Sequence, residues 1–160
     1  ISKTCIKVNG LNFTLTPIIS RTLFILNLSK TKRRKLIEIL LAPWLNTVLS
    51  KQEILSVYLS SVRFENRCFG VIAAMKYFFG EVVTDPSPAQ AFFLVERVSN
   101  IKQSLLTNKI IATALAAKEN GVLSQCDLHE LATLYQEAIS KRTIIDHSNR
   151  IDKLIEQLHA

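Results

Sequence analysis

The chain has 160 residues, with 20 Lys and Arg against 13 Asp and Glu and a formal net charge of +7. That length suits one domain with a real core, and 48% apolar content with only four Gly and four Pro leaves room for long helices. The basic balance points to anionic partners, but Phe13, Phe24, Phe78, Phe92 and Phe93 sit inside apolar runs rather than among the cations, which argues against a nucleic-acid platform.

Ile1 to Thr16 alternates β-branched and polar residues around an Asn9-Gly10 turn signal and reads as extended. Pro17 suits the first turn of a helix running to about Leu28. Thr31 is an N-cap for a basic helix from Lys32 to Leu41 or beyond, bent or restarted by Pro43. Ser50 caps a helix opening at Lys51, with Glu53 as capping-box partner and Ile54, Leu55, Tyr58, Leu59 and Val62 on one apolar face. After a polar break, Arg63 to Arg67, an apolar helix runs from Phe69 to Phe79 and stops at Gly80, with Ala73 and Ala74 admitting a close neighbour.

Asp85-Pro86-Ser87-Pro88 turns into a helix from Ala89 to about Ser99. A further helical pattern runs from Leu105 to Lys118 and ends at Asn120-Gly121. Ser124 or Asp127 opens the next, with Leu128, Leu131, Leu134, Tyr135 and Ile139 on one face. Ile151, Leu154, Ile155 and Leu158 mark the last. The expected fold is all-α, a single irregular helical domain with additional C-terminal helices.

No apolar run reaches the ~18 to 20 residues that span a bilayer. Cys5, Cys68 and Cys126 have no C-x-x-C spacing, so neither a disulfide framework nor a zinc site is expected. His129, His147 and His159 read as surface residues, and no metal site is assigned.

Several segments together carry a family likeness. Lys51 to Leu59 reads K-x-E-I-L-x-x-Y-L, and Phe69 to Gly80 reads F-G-V-x-A-A-x-x-Y-F-F-G. Both resemble the fourth motif of the peptidoglycan glycosyltransferases, lysozyme-like, membrane-associated enzymes that polymerise lipid II. Thr14-Leu15-Thr16 followed by Ser20-Arg21-Thr22-Leu23-Phe24 is similar to the second motif. Arg34-Lys35-Leu36-Ile37-Glu38 is similar to the third, R-K-x-x-E, and Ser87 to Leu94 to the fifth, with Gln90 where the family has Glu. The likeness spans Thr14 to Leu94, in the family's order. It implies a glycosyltransferase-like region over 1–101, with 102–160 a helical extension packed on the same domain.

The departures are polar. Leu11-Asn12-Phe13 replaces Gly-Gly-Ser and Pro17-Ile18 the Gln pair of the second motif. Ser56 and Ser60 replace a Glu and an Asn of the fourth, and Glu65-Asn66-Arg67 its G-x-G turn. The first motif, E-D-x-x-F-x-x-H-x-G, carries the family's catalytic base and a membrane anchor normally precedes it. Ile1 to Phe13 contain no Glu, Asp or His, so this stretch is expected to lack the first motif, which is consistent with an N-terminal truncation.

By resemblance, Glu38 is the catalytic candidate, organising the donor's reducing end. Arg34 and Lys35 share its helical face and would hold the lipid diphosphate, whose departing charge positioned cations stabilise. Thr14, Thr16, Arg21 and Lys51 complete the substrate-binding set. No tightly bound cofactor is implied; a divalent cation, Mg or Mn, can assist at the diphosphate. The implied partners are lipid II and the nascent glycan strand, in the bacterial cell envelope, periplasmic or at the outer face of the inner membrane. Lys30, Lys32, Arg33, Arg34 and Lys35, flanked by apolar Leu23 to Leu28 and Ile39 to Leu49, suit an anionic membrane surface. The alternative is a degenerate, inactive relative that binds lipid or a cell-wall partner.

Overall fold

The computed structural model describes residues 5–8, 11–14, 40–41, 43–45, 47–65, 68–100 and 103–159. They are mostly helical, as expected, with two small antiparallel hairpins. The chain divides into two compact units, Ile1–Val62 and Arg63–Ala160.

In the first unit, β1 (Cys5–Val8) pairs with β2 (Leu11–Thr14) in the register Cys5↔Thr14 to Val8↔Leu11. The extended reading of this region holds, and two residues separate the strands, the spacing of a tight hairpin. The expected helix from Pro17 and most of the one from Lys32 lie outside the described residues. From 40 to 48 the described residues are helical, and Leu45 packs with Ile54 under Leu49, Val57 and Tyr58. Helix α1 (Lys51–Ser61) starts as its sequence dictates. The Ser50 hydroxyl accepts from the Glu53 amide at 3.3 Å, and the Glu53 carboxylate accepts from the Ser50 amide at 2.8 Å. The apolar face is narrower than the periodicity implies. Ile54 and Val62 are buried and Tyr58 is half-buried, but Leu55 and Leu59 are exposed because the Leu45 contact lies on the Ile54 side.

The second unit opens with β3 (Arg63–Glu65) and β4 (Cys68–Phe69), paired Arg63↔Phe69 and Glu65↔Cys68 with a register shift. The polar break is therefore a hairpin, and Phe69 belongs to a strand rather than to the following helix. Helix α2 (Val71–Phe79) ends at Gly80, whose φ of +88° is the left-handed conformation that favours glycine. Ala74 is fully buried, whereas Ala73 is exposed, so only one of the two alanines admits a close neighbour.

Helix α3 (Pro88–Ser99) has Ser87 as N-cap and Pro88 in the first turn. Helix α4 (Thr107–Glu119) is followed by Gly121 at φ +69°. Helix α5 (Gln125–Ser140) is capped by Ser124 with Asp127 as its box partner, and α6 (Ile151–His159) closes the unit. Helix α5 packs on α3 and α6, and α4 packs on α6. Ile110 and Ala114 of α4, Leu128 and Leu131 of α5, and Leu154 and Leu158 of α6 are buried, each large side chain contributing roughly 1.5–3 kcal/mol. An aromatic run, Phe78 to Phe93 at 5.3 Å and Phe93 to Tyr135 at 4.9 Å between ring centroids, joins α2, α3 and α5. Ser104 and Ile145 form a parallel bridge, with the Leu105 amide donating to the Ile145 carbonyl at 3.0 Å.

Candidate functional site

Of the expected site residues, Lys51 is the one whose side chain the structure describes. It is the first residue of α1 and is exposed. A cation in a helix's first turn opposes the helix dipole. Glu53 beside it offsets that charge, and the Ser50 side-chain and backbone hydrogen bonds hold its carboxyl below the ordinary value. Thr14 is the last residue of β2, opposite Cys5. Thr16, Arg21, Arg34, Lys35 and Glu38 lie outside the described residues.

The fourth-motif departures are visible on α1. Ser56 and Ser60 are both exposed, and the Ser60 hydroxyl turns back to the Val57 carbonyl at 3.0 Å. A short hydroxyl satisfied by its own helix cannot reach a substrate as a longer Glu or Asn side chain can.

The fifth motif has an architectural role. The Ser87 hydroxyl accepts from the Gln90 amide at 3.1 Å, and the Gln90 side-chain oxygen accepts from the Ser87 amide at 3.1 Å. Gln90 thus fills the box position as a neutral acceptor. Ser87 also donates to Glu130 of α5 at 2.7 Å. The fully buried Ala89 and the nearly buried Phe93 seat the helix in the core.

The sequence reading missed a buried polar cluster. Glu96 and Arg97, consecutive on α3, form an ion pair in which Arg97 Nε donates to Glu96 Oε2 at 2.7 Å and Nη2 donates to the same oxygen. The Tyr135 hydroxyl donates to that oxygen at 3.2 Å from α5. Burial, reinforced by the Glu96 charge, pushes the Tyr135 phenol well above its ordinary value of 10.0. The one signal in the sequence was an Glu-Arg pair interrupting the apolar run Phe92 to Val98. Among the described residues, no group of three or more His, Cys, Asp or Glu side chains could hold a metal ion, and no helix is long and apolar enough to cross a membrane.

The exposed apolar residues are concentrated in part on the 40–48 segment. Leu40, Trp44 and Val48, four apart and therefore on one helical face, are 65%, 53% and 58% exposed.

The transglycosylase family model matches residues 13–127. Penicillin-binding protein 1A of Vibrio cholerae serotype O1 is 33% identical over 120 residues, covering 63% of this chain and 14% of that protein. The biosynthetic peptidoglycan transglycosylase of Chromobacterium violaceum is 37% identical over 87 residues, covering 54% of this chain and 38% of the relative. That of Rhodopseudomonas palustris is 29% identical over 120 residues, covering 71% and 52%. The chain thus spans between about one-seventh and about half of these relatives. The matched stretch contains almost all of the sequence that carries the second to fifth motifs, the α1 cap and the α3 cap, and the chain belongs to the transglycosylase family.

Proposed function

We propose that this is a peptidoglycan glycosyltransferase-type domain that engages lipid II and its growing glycan, with undecaprenyl diphosphate as the group released. The observation that carries this is the family match over 13–127, which includes every candidate site residue. In this reading Arg34 and Lys35 hold the diphosphate, and Thr14, Thr16, Arg21 and Lys51 complete its surroundings. Glu38 organises the reducing end of the donor. The cations stabilise charge that grows on the leaving diphosphate in the transition state. A divalent cation, Mg or Mn, carried on the substrate's diphosphate belongs to the same reading.

The place of action is the bacterial cell envelope, at the outer face of the inner membrane. The exposed Leu40, Trp44 and Val48 stripe supports this, since it follows the Lys30 to Lys35 cations in sequence and an interfacial helix needs both an apolar face and basic residues.

The acceptor hydroxyl is a poor nucleophile, and general-base assistance is worth roughly 10²- to 10⁴-fold. Ile1 to Phe13 hold no Glu, Asp or His to supply it. The polypeptide Ile1–Ala160 therefore binds part of the substrate and polymerises it very poorly. The short, exposed Ser56 and Ser60 favour a second reading, an inactive relative that keeps the fold and binds lipid or a cell-wall partner. A lipid II polymerisation assay decides between them, comparing this polypeptide, one extended upstream to include an E-D-x-x-F-x-x-H segment, and Glu38→Gln in the extended form. Activity restored by extension and lost on Glu38→Gln supports the enzyme. An extended form that binds lipid II without turnover supports the binding module, and robust chains from Ile1–Ala160 alone refute the assignment of roles.

A further inference from the structure

His129 and His159 are 30 positions apart, yet their rings meet. His129 is on α5 and His159 ends α6, and the ring centroids are 4.7 Å apart, edge to face. Both side chains are exposed. Each directly follows a buried leucine, Leu128 and Leu158, so the core fixes the two helices where the rings leave them. Gln125, one turn before His129, has its amide nitrogen 3.2 Å from His129 Nε2 and 3.4 Å from the His159 backbone carbonyl. A metal ion needs an imidazole nitrogen with a free lone pair, and His129 Nε2 offers one in the tautomer that carries its proton on Nδ1.

We propose that this pair is a binding site for a divalent first-row transition cation of the zinc class, clipping α6 to α5. The dimensions agree. With metal–nitrogen bonds of about 2.0–2.1 Å, two imidazoles at about 90 to 109° around one ion place their centroids about 4.5 to 5.2 Å apart. The observed 4.7 Å falls within that interval. Both rings are exposed, and the site requires them to turn about χ2 until one nitrogen of each faces the ion, which displaces the Gln125 amide from Nε2. No third His, Cys, Asp or Glu among the described residues completes the set, so water fills the remaining positions and the site is open. Imidazole selects Zn, Cu and Ni, whereas Mg and Ca require oxygen donors. The pair also lies beyond residue 127, where the family match ends, so it is separate from the glycosyltransferase motifs.

The test is a titration of the polypeptide with Zn(II), Ni(II) and Mg(II) at neutral pH, followed by imidazole NMR signals and by Tm. The variants are His129→Asn, His159→Asn and Cys126→Ser. Zn(II) or Ni(II) should perturb two imidazoles at one ion per chain, leave the His147 signal unmoved and raise Tm with the logarithm of concentration. Mg(II) should do neither. Each His substitution should weaken binding by at least the roughly tenfold that losing even an outer-shell group costs, without changing the metal-free Tm. Cys126→Ser should bind as the parent does. No response to Zn(II) and Ni(II) overturns the site. So does binding that survives either His substitution or is abolished by Cys126→Ser, and binding with no rise in Tm overturns the clip.

Discussion

Replacing Arg97 with Met tests the buried ion pair of α3. The side chains of Arg97 and Glu96 are 2% and 4% exposed. Met keeps most of the packing of the aliphatic stem but removes both donors to Glu96 Oε2. Each charge-assisted hydrogen bond contributes roughly 1.5–3 kcal/mol, and stripping one member from a buried pair typically costs about 3–5 kcal/mol because the remaining buried charge loses those donors. At about 2–4 °C per kcal/mol for a chain of this size, Arg97→Met should lower Tm by about 6–20 °C. The sharper test is the double variant Arg97→Met with Glu96→Gln. Gln at that position carries no charge and still accepts from the Tyr135 hydroxyl, and replacing both charges of a buried pair is often neutral. Urea denaturation should therefore show a large loss of midpoint in the single variant and recovery of most of it in the double. Equal destabilisation of the two, or a single-variant loss below about 1 kcal/mol, would show that packing rather than the Arg97–Glu96 charge pairing sets the energetics.

Tyr135, with a phenol held above its ordinary 10.0, should lend stability that is fully present below that value and is lost as pH rises through the folded-state value; an ultraviolet alkaline titration should show one tyrosine ionising only with unfolding, and Tyr135→Phe should remove that phase. Burial raises the Asp146 carboxyl, but bonds from the amides of Ser148, Ile151 and Arg150 and the Ser148 hydroxyl outweigh it and leave the group below its usual 3.8. Its stabilisation should be complete above that value and fade as pH falls beneath it, and Asp146→Ala should cost about 0.5–2 kcal/mol in urea melts at neutral pH. Gly80→Ala should cost about 1–2 kcal/mol, from the left-handed backbone alone, since a Cβ there meets nothing within 4 Å; a stabilised variant would refute that account. Anionic vesicles should bind the chain in a salt-dependent way that Arg33→Glu with Lys35→Glu abolishes, and equal binding to neutral vesicles would count against electrostatic capture.

The helix starts were legible because their chemistry is local. Ser50 with Glu53, and Ser124 with Asp127, lie three residues apart and form the boxes their letters imply. The β3–β4 hairpin was not legible, since strands of three and two residues with Arg and Glu among them carry no usable alternation. Leu55 and Leu59 were assigned to a buried face by periodicity, which gives the angle of a stripe but not the width of its neighbour. The Glu96–Arg97–Tyr135 cluster and the His129–His159 pair depend on helices 30 or more residues apart in sequence coming side by side. In the candidate site, Lys51 was readable as the opening residue of a helix, and the motif order pointed to the family. Arg21, Arg34, Lys35 and Glu38 rest on that resemblance, because their letters alone also fit a solvated basic helix.

The hydrogen bond from Ser87 to Glu130 has a consequence for where this protein can be divided. It joins the cap of a helix inside the family-matched stretch to a residue beyond residue 127, and the Phe93–Tyr135 ring contact crosses the same line. The stretch shared by descent and the stretch that folds together therefore have different ends. A boundary drawn from homology would sever α5 within its first turn and strand the Ser87 hydroxyl. Grafting or exchanging this module among relatives would have to follow the packing, carrying α5 and α6 along with the motifs.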